Sequence, residues 1–387
     1  MRTPITVIGG GLAGLTAAIS CAELGAAVRL FEAHDSLGGR ARSTTGRYLA
    51  NEGPHAFYCD GEPYAWLAER GLVQPVAVPT PENWAGTRFL HDGRLTATPP
   101  RALREMLADR GAVAPVEADF GSWAGGRYGE EAVRMAAGLL GVATYTADVA
   151  GLSAAFVWER LLRTVSPGEP ALRYPIGGWS SVVTRMADRA RSLGVHITTG
   201  TRINVLPDRP VILATGLDAA RALLGGATLR WHSGHALLLD LGLRAGHPDV
   251  FLVIDLDFGG FVEHLSLVDP STAPAGHSLV QALMPLRDGE SRDTARARLE
   301  AVLDRGLPGW RGQVDWRREA IARGRTGALD LPGQHWSDRP AVEQGEGVWL
   351  VGDSVAAPGL LSEVAVNSAL QAAQSAVRAA TSTHPAA

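Results

Sequence analysis

Ile5-Thr6-Val7-Ile8-Gly9-Gly10-Gly11-Leu12-Ala13-Gly14, with Ala27-Val28-Arg29-Leu30-Phe31-Glu32 after it, is the stretch that decides the fold. The first apolar, β-branched run predicts a strand, the small residues from Leu15 to about Leu24 predict a helix ended by Gly25, and Ala27 to Phe31 predicts a second strand. In such a βαβ unit Gly9 supplies the tight turn, Gly11 lets the backbone approach a pyrophosphate, and Gly14 allows close packing of helix on strand. Glu32 falls where a carboxylate accepts hydrogen bonds from an adenosine ribose. The glycine spacing is weak by itself in a chain with 46 glycines. The strand before it, the helix after it and the acid beyond give it the meaning of a dinucleotide site.

Further blocks say which dinucleotide. They are Leu37-Gly38-Gly39-Arg40-Ala41-Arg42, Asn51-Glu52-Gly53-Pro54-His55-Ala56-Phe57, Tyr174-Pro175-Ile176-Gly177-Gly178-Trp179, Val211-Ile212-Leu213-Ala214-Thr215-Gly216 and Val348-Trp349-Leu350-Val351-Gly352-Asp353. In this order, over nearly the whole length, the sequence resembles the flavoprotein superfamily of phytoene desaturases, protoporphyrinogen oxidases and flavin amine oxidases. The resemblance implies FAD. It puts Gly9, Gly11, Leu12, Ala13, Gly14, Gly38, Gly39 and Arg40 at the diphosphate, and Glu32, Ala33 and Ile203 at the adenosine end. Gly53, Pro54 and His55 would run beside the ring, with Ala214, Thr215 and Gly216 on a second flavin-contacting strand. Gly352 and Asp353 would close over the ribityl chain, and Leu361, Ser362 and Val364 would lie at the pyrimidine side.

The fold class expected is α/β: a discontinuous Rossmann-like FAD-binding domain from residues 1–60, 171–216 and 345–387, and a second, α+β substrate domain from 61–170 and 217–344. Gly194 to Thr198 predicts another strand of the first domain. The stretch from Thr201 to Val211 is too short for the β-excursion that many relatives carry there. Segment 61–170 reads as helical, with helix-like apolar spacing over Glu130–Leu140 and Ser153–Leu162. In 217–344, Ala236–Leu243, Val250–Leu256 and Ser278–Leu283 read as strands and Ser291–Arg305 as a charged helix. No second Gly-x-Gly-x-x-Gly follows residue 14, so no stable NAD(P) site is expected, and electrons would leave to oxygen or a separate acceptor.

Composition narrows the chemistry. The 387 residues allow two domains, because single cores stop growing near about 250–300 residues. All 36 basic residues are arginines, which excludes lysine Schiff bases, pyridoxal phosphate anchoring and the lysine of a phosphate-binding loop. A net charge of -4 without a basic run argues against nucleic acid as a partner. Cys21 and Cys59 form no Cys-x-x-Cys pair, and a reducing cytoplasm is the default location. Glycines interrupt the apolar start, and no apolar run is long enough to span a bilayer.

Among candidate groups, His55 is either a base or substrate-positioning residue near the ring, or a histidine hydrogen-bonded to backbone or cofactor. Ser362 is expected to cap the last helix, whose N-terminus would stabilise negative charge on a reduced flavin. His232 and His235 have metal-like spacing without an acidic or thiol partner, so no metal is expected. Trp179, Trp231, Trp336 and Tyr58 would wall a pocket or pack a core. Arg101–Leu107 would form a solvated amphipathic helix, or a peripheral membrane contact. Three functions stay open: removal of hydride from a largely apolar organic substrate by a dehydrogenase, desaturase or oxidase; oxidation of an amine or amino acid; and a redox-neutral isomerisation or cyclisation. The missing lysine counts against the version of amine oxidation that holds a water by lysine.

Overall fold

A computed structural model describes residues 3–53, 55–165, 171–226, 229–245, 249–324 and 326–382. Its first sheet is wholly parallel, with the strand order Val348–Leu350, Val211–Leu213, Ile5–Ile8, Val28–Phe31, His196–Thr198. Strands 5–8 and 211–213 are entirely buried, as a sheet covered on both faces requires, while strand 28–31 buries Val28 and Leu30 and exposes Arg29. Helix Leu12–Glu23 packs between Trp179–Ser192 and the last helix, Ser362–Ser382. Ala17 and Ala18 with Ala369, Ala372, Ala373 and Ala376 belong to one core, and these small residues let the helices approach closely. Cys21 lies in that core, where burial pushes its thiol up to about 12, so it stays protonated and unreactive.

The second sheet has seven strands in the order Val314–Arg323, His235–Leu243, Ser278–Pro285, Phe261–Glu263, Leu252–Asp255, Thr87–His91, Arg94–Thr96. Residues alternate across it. Leu237, Leu239 and Leu241 with Val280, Ala282 and Met284 join the core beneath helix Arg292–Gly306, which Ser291 caps by accepting the Thr294 N–H. The opposite face looks toward the first sheet and the helices Phe120–Tyr128, Glu130–Thr144 and Ala154–Thr164, whose own core centres on Phe120, Met135, Leu140 and Trp158.

Three expectations change, and one strand is added. The first helix begins at Leu12 rather than Leu15, because Gly11 in extended conformation ends the glycine turn at once. Segment 61–170 is not helical throughout: Thr87–His91 and Arg94–Thr96 form a hairpin on the edge of the second sheet. Its turn, Asp92-Gly93 with φ of 47° and 71°, is the Asp-Gly pair that a tight hairpin favours. Strand Val314–Arg323 carries so many charges that no apolar alternation announces it; it lies at the opposite edge, where charged side chains block further pairing. The last helix starts at Ser362 itself, so Ser362 is its first residue and not its cap, and Leu361 precedes it with φ of 52°.

The loop after strand 314–323 is tied down by a buried pair. Arg339 donates to both carboxylate oxygens of Asp330, at 2.9 and 2.7 Å, and Trp231 Nε1 donates to the same group at 3.0 Å. Removing the acid strands a buried guanidinium. Asp330→Ala is therefore expected to lose about 3–5 kcal/mol, measured by urea unfolding.

Candidate active site

The crevice lies at the carboxyl ends of the parallel strands. Strand 5–8 is followed in sequence by strands on one side of it and later by strands on the other, so the order reverses between it and strand 211–213, the place where open α/β sheets bind ligands. A β-carbon on Gly14 would lie 1.9 Å from the Gly9 carbonyl oxygen, so strand and helix meet here only through glycine. At Gly11 a β-carbon would meet nothing nearer than 3.8 Å; the space in front of the helix is open. The first intrahelical bond runs from Leu15 N–H to Gly11. The N–H groups of Leu12, Ala13 and Gly14 have no intrahelical partner, and no side chain caps them.

Glu32 closes one side. It is buried, its carboxylate accepting from Gly10 N–H at 2.7 Å and His34 N–H at 2.9 Å, with Ala33 half-buried beside it. Gly38 N–H donates to Gly10 at 2.8 Å, which sets Gly38 and Gly39 against Gly11. On the other side Ala214 N–H donates to Ile8, and the Thr215 hydroxyl beside it is buried without a partner. Arg40 reaches across to Asp353 and pairs with both of its oxygens, joining the early and late blocks. Arg42 pairs with Glu52 instead. Gly53 runs along the Arg40 backbone, Ile203 packs at the edge of the sheet's core, Gly216 caps helix Leu217–Leu224, and Gly352 N–H donates to Ser368 in the last helix. Leu361, Ser362 and Val364 form the start of that helix. Pro54 lies outside the described residues. Open helix N–H groups, a buried free hydroxyl and a buried acid at the end of the second strand match the donor and acceptor set of a dinucleotide site.

Above this crevice stands a buried polar network that the sequence reading missed, apart from His55. His55 Nδ1 bonds a carboxylate oxygen of Glu263, and Tyr174 donates to the other at 2.5 Å. Asp240 accepts from Gln281 at 2.8 Å and from Arg318 at 2.6 Å, while Gln281 also holds both the N–H and the carbonyl of Asn51. Burial would lower the His55 pKa, but the charge of Glu263, its hydrogen bond and the charge of Asp240 together raise it. Burial and the neighbouring Glu263 hold the Tyr174 phenol well above its usual range. Beside this polar half the same face is apolar: Ala236 and Leu283 are buried, Leu238 and Phe261 pack against them half-buried, and Tyr145, at the end of helix 130–144, joins the same cluster.

The remaining candidates separate from the site. His232 pairs through its backbone with Leu329, and the ring of His235 accepts the Gly324 N–H at 3.2 Å, so they do not converge on a metal. His91, Asp92 and Asp257 do cluster, but Asp257 is engaged in holding the hairpin turn through the His91 ring and the Asp92 N–H. Trp179 is fully buried in the first core, its ring packed at a tilt against Phe57. Helix Arg101–Ala108 buries Leu103 and Met106 completely, so its apolar side is used inside the fold. Among the described residues no helix is long and apolar enough to cross a membrane.

Two family profiles match: a NAD(P)-binding Rossmann-like domain over residues 7–69 and the flavin containing amine oxidoreductase family over residues 254–377. The two profiles, with the fold, support a flavin amine oxidase-like FAD oxidoreductase. Its cofactor is FAD, and the first profile covers the glycine-rich βαβ unit. No curated protein matches the sequence. Solved structures share the fold: an oxidoreductase from Methanosarcina mazei at 17% identity and a TM-score of 0.75, covering 95% of this chain and 99% of the other. Cyclohexylamine oxidase from Brevibacterium oxydans follows at 14% and 0.73, covering 98% and 99%. Reduced UDP-galactopyranose mutase follows at 14% and 0.71, covering 100% and 97%.

The open space at Gly11 makes a clean test of the oxidoreductase's cofactor site. Gly11→Ala is expected to change stability by no more than about 1 kcal/mol, as for other helix-cap exchanges, yet to weaken FAD binding at least about tenfold. Unfolding curves of the apoprotein and fluorescence titration with FAD measure the two effects separately.

Proposed function

We propose that this FAD oxidoreductase removes hydride from a small, largely apolar organic molecule carrying one hydrogen-bonding end. The observation that carries the reading is the divided face of the second sheet, with Leu238, Phe261 and Leu283, which cluster with Tyr145, beside the His55–Glu263–Tyr174 network. The apolar half would hold the body of the substrate and exclude water. The polar half would hold its heteroatom and take the proton that leaves with the hydride. FAD supplies a two-electron acceptor, held by Gly9 to Gly14, Glu32, Arg40, Thr215, Asp353 and the start of the last helix. His55 serves as the proton acceptor; Glu263 orients its ring and stabilises the imidazolium, and Tyr174 fixes Glu263. Oxygen or a separate acceptor then takes the electrons.

Oxidation of an amine is the second reading, supported by the family profile that spans Glu263. The chain has no lysine for it. An amine would have to be deprotonated by His55 before hydride can leave, so this reading uses the same network.

Anaerobic mixing with a panel of cyclic amines and of apolar alcohols and alkenes, followed by loss of flavin absorbance, identifies the substrate class. A panel in which no member bleaches the flavin would remove the reading in favour of a redox-neutral reaction. With an active substrate, His55→Ala is expected to slow reduction about 10²–10⁴-fold. The base must be neutral to act, so kcat/KM should rise with pH along a limb above the ordinary histidine value of about 6.5, and Glu263→Gln should move that limb to lower pH. The same pair stabilises the fold while His55 is protonated. That contribution is complete below the unfolded value of about 6.5 and fades as pH rises through the raised folded value.

A further inference from the structure

Helix Ala154–Thr164 presents two arginines, one turn apart, toward the start of the last helix. Arg163 is matched: it donates to both oxygens of Glu363, at 3.0 and 2.8 Å, and to Asp60 at 2.6 Å. Arg160 is not. It is only 8% exposed, donates to the Phe156 carbonyl of its own helix at 3.1 Å and lies over the Phe156 ring. Among the described residues, the one carboxylate within ion-pair distance is Glu159, 3.7 Å away on a side chain 62% exposed. The nearby buried acids are engaged elsewhere: Asp330 with Arg339, Asp353 with Arg40. Arg160 lines a small cavity together with Arg339, Asp353, Leu361 and Val364. Burial pulls its pKa down to about 10, which still leaves it charged at neutral pH. A buried guanidinium without a buried counter-charge is expensive unless an anion completes it.

We propose that Arg160 is a positioning residue for the cofactor, placed with the N-terminus of the last helix to stabilise negative charge on the pyrimidine edge of reduced FAD. The inference rests on the reading that FAD occupies the crevice, since Asp353, Leu361 and Val364, which share the cavity, are the residues assigned to its ribityl and pyrimidine parts. Two-electron reduction leaves that edge anionic. The first-turn N–H groups of helix 362–382 supply partial positive charge there, but the helix also carries Glu363 in its first turn, tied to Arg163. Arg160 supplies the full positive charge that this end otherwise lacks.

The test uses the FAD-loaded full chain, with potential read by equilibration against a reference dye and sulfite affinity by titration. Arg160→Met is expected to retain FAD, to weaken sulfite binding about 10–100-fold and to lower the two-electron midpoint potential by about 30–60 mV, the same ratio converted at about 30 mV per tenfold. Arg160→Lys, which restores the charge, should recover most of both. Arg160→Gln, which keeps a donor for the Phe156 carbonyl, should behave as Arg160→Met and stands in for it if methionine does not fold. An FAD-loaded neutral variant with wild-type potential and sulfite affinity would overturn the inference and leave the proposed function intact. Wild-type protein that binds sulfite no better than free FAD would overturn it without any variant. Wild-type protein that retains no FAD would instead remove the cofactor placement on which it rests.

Discussion

The Gly14 α-carbon sits so near the Gly9 carbonyl that no side chain fits between them. This contact lets helix 12–23 start immediately above strand 5–8 and point its N-terminus along the sheet's carboxyl edge. Strands 28–31 and 211–213 pair with strand 5–8 on either side, so the glycine contact also fixes where Glu32 and Thr215 emerge. From there the rest follows by adjacency: Gly38 pairs with Gly10, Arg40 extends from that turn to Asp353, and Gly53 tracks along Arg40 into His55. The polar network is thus brought to the crevice by a chain of backbone contacts that begins at two glycines.

The cofactor half of the site was legible because it is made of local signals. Glycines at fixed spacing, a strand before them and an acid at the end of the next strand lie within a short stretch, and backbone geometry alone gives them meaning. The substrate half was not legible, for a physical reason. Asp240 and Glu263 interrupt aliphatic runs, Leu237 to Leu241 and Phe261-Val262-Glu263, and a single acid there reads equally as a solvent-facing position of a half-exposed strand. Only the pairing of strands 261–263, 278–285 and 235–243 shows that these positions share one buried face with His55 and Tyr174. Arg160 was hidden in the same way, on a helix whose apolar spacing made its charged positions look solvated. A lone charged residue inside an otherwise apolar strand was the one signal available, and it identifies a candidate without naming its partner.

The absence of lysine acquires a structural consequence. Every cationic side chain is a guanidinium, apart from protonated histidine, and the fork geometry recurs wherever the protein joins distant segments: Arg40 on Asp353, Arg163 on Glu363, Arg339 on Asp330. Arginine holds its charge at neutral pH, so the cavity stays positive until something anionic enters.

The order of strands in the first sheet also bears on how the protein is made. Its centre comes from residues 5–8, but the neighbours on one side come from 211–213 and 348–350, and the last helix covers them only after residue 362. During synthesis the first βαβ unit emerges early with one flank of its central strand uncovered until strand 211–213 arrives, and the whole second sheet must then appear before strand 348–350 covers the next edge. Such long-range parallel pairing is slow to form and leaves a sticky edge exposed meanwhile. The nascent chain is therefore most vulnerable to aggregation in the interval before strand 348–350 arrives, and a ligand that joins the early glycine turn to the late Gly352-Asp353 segment would shorten that interval by capturing the closed sheet.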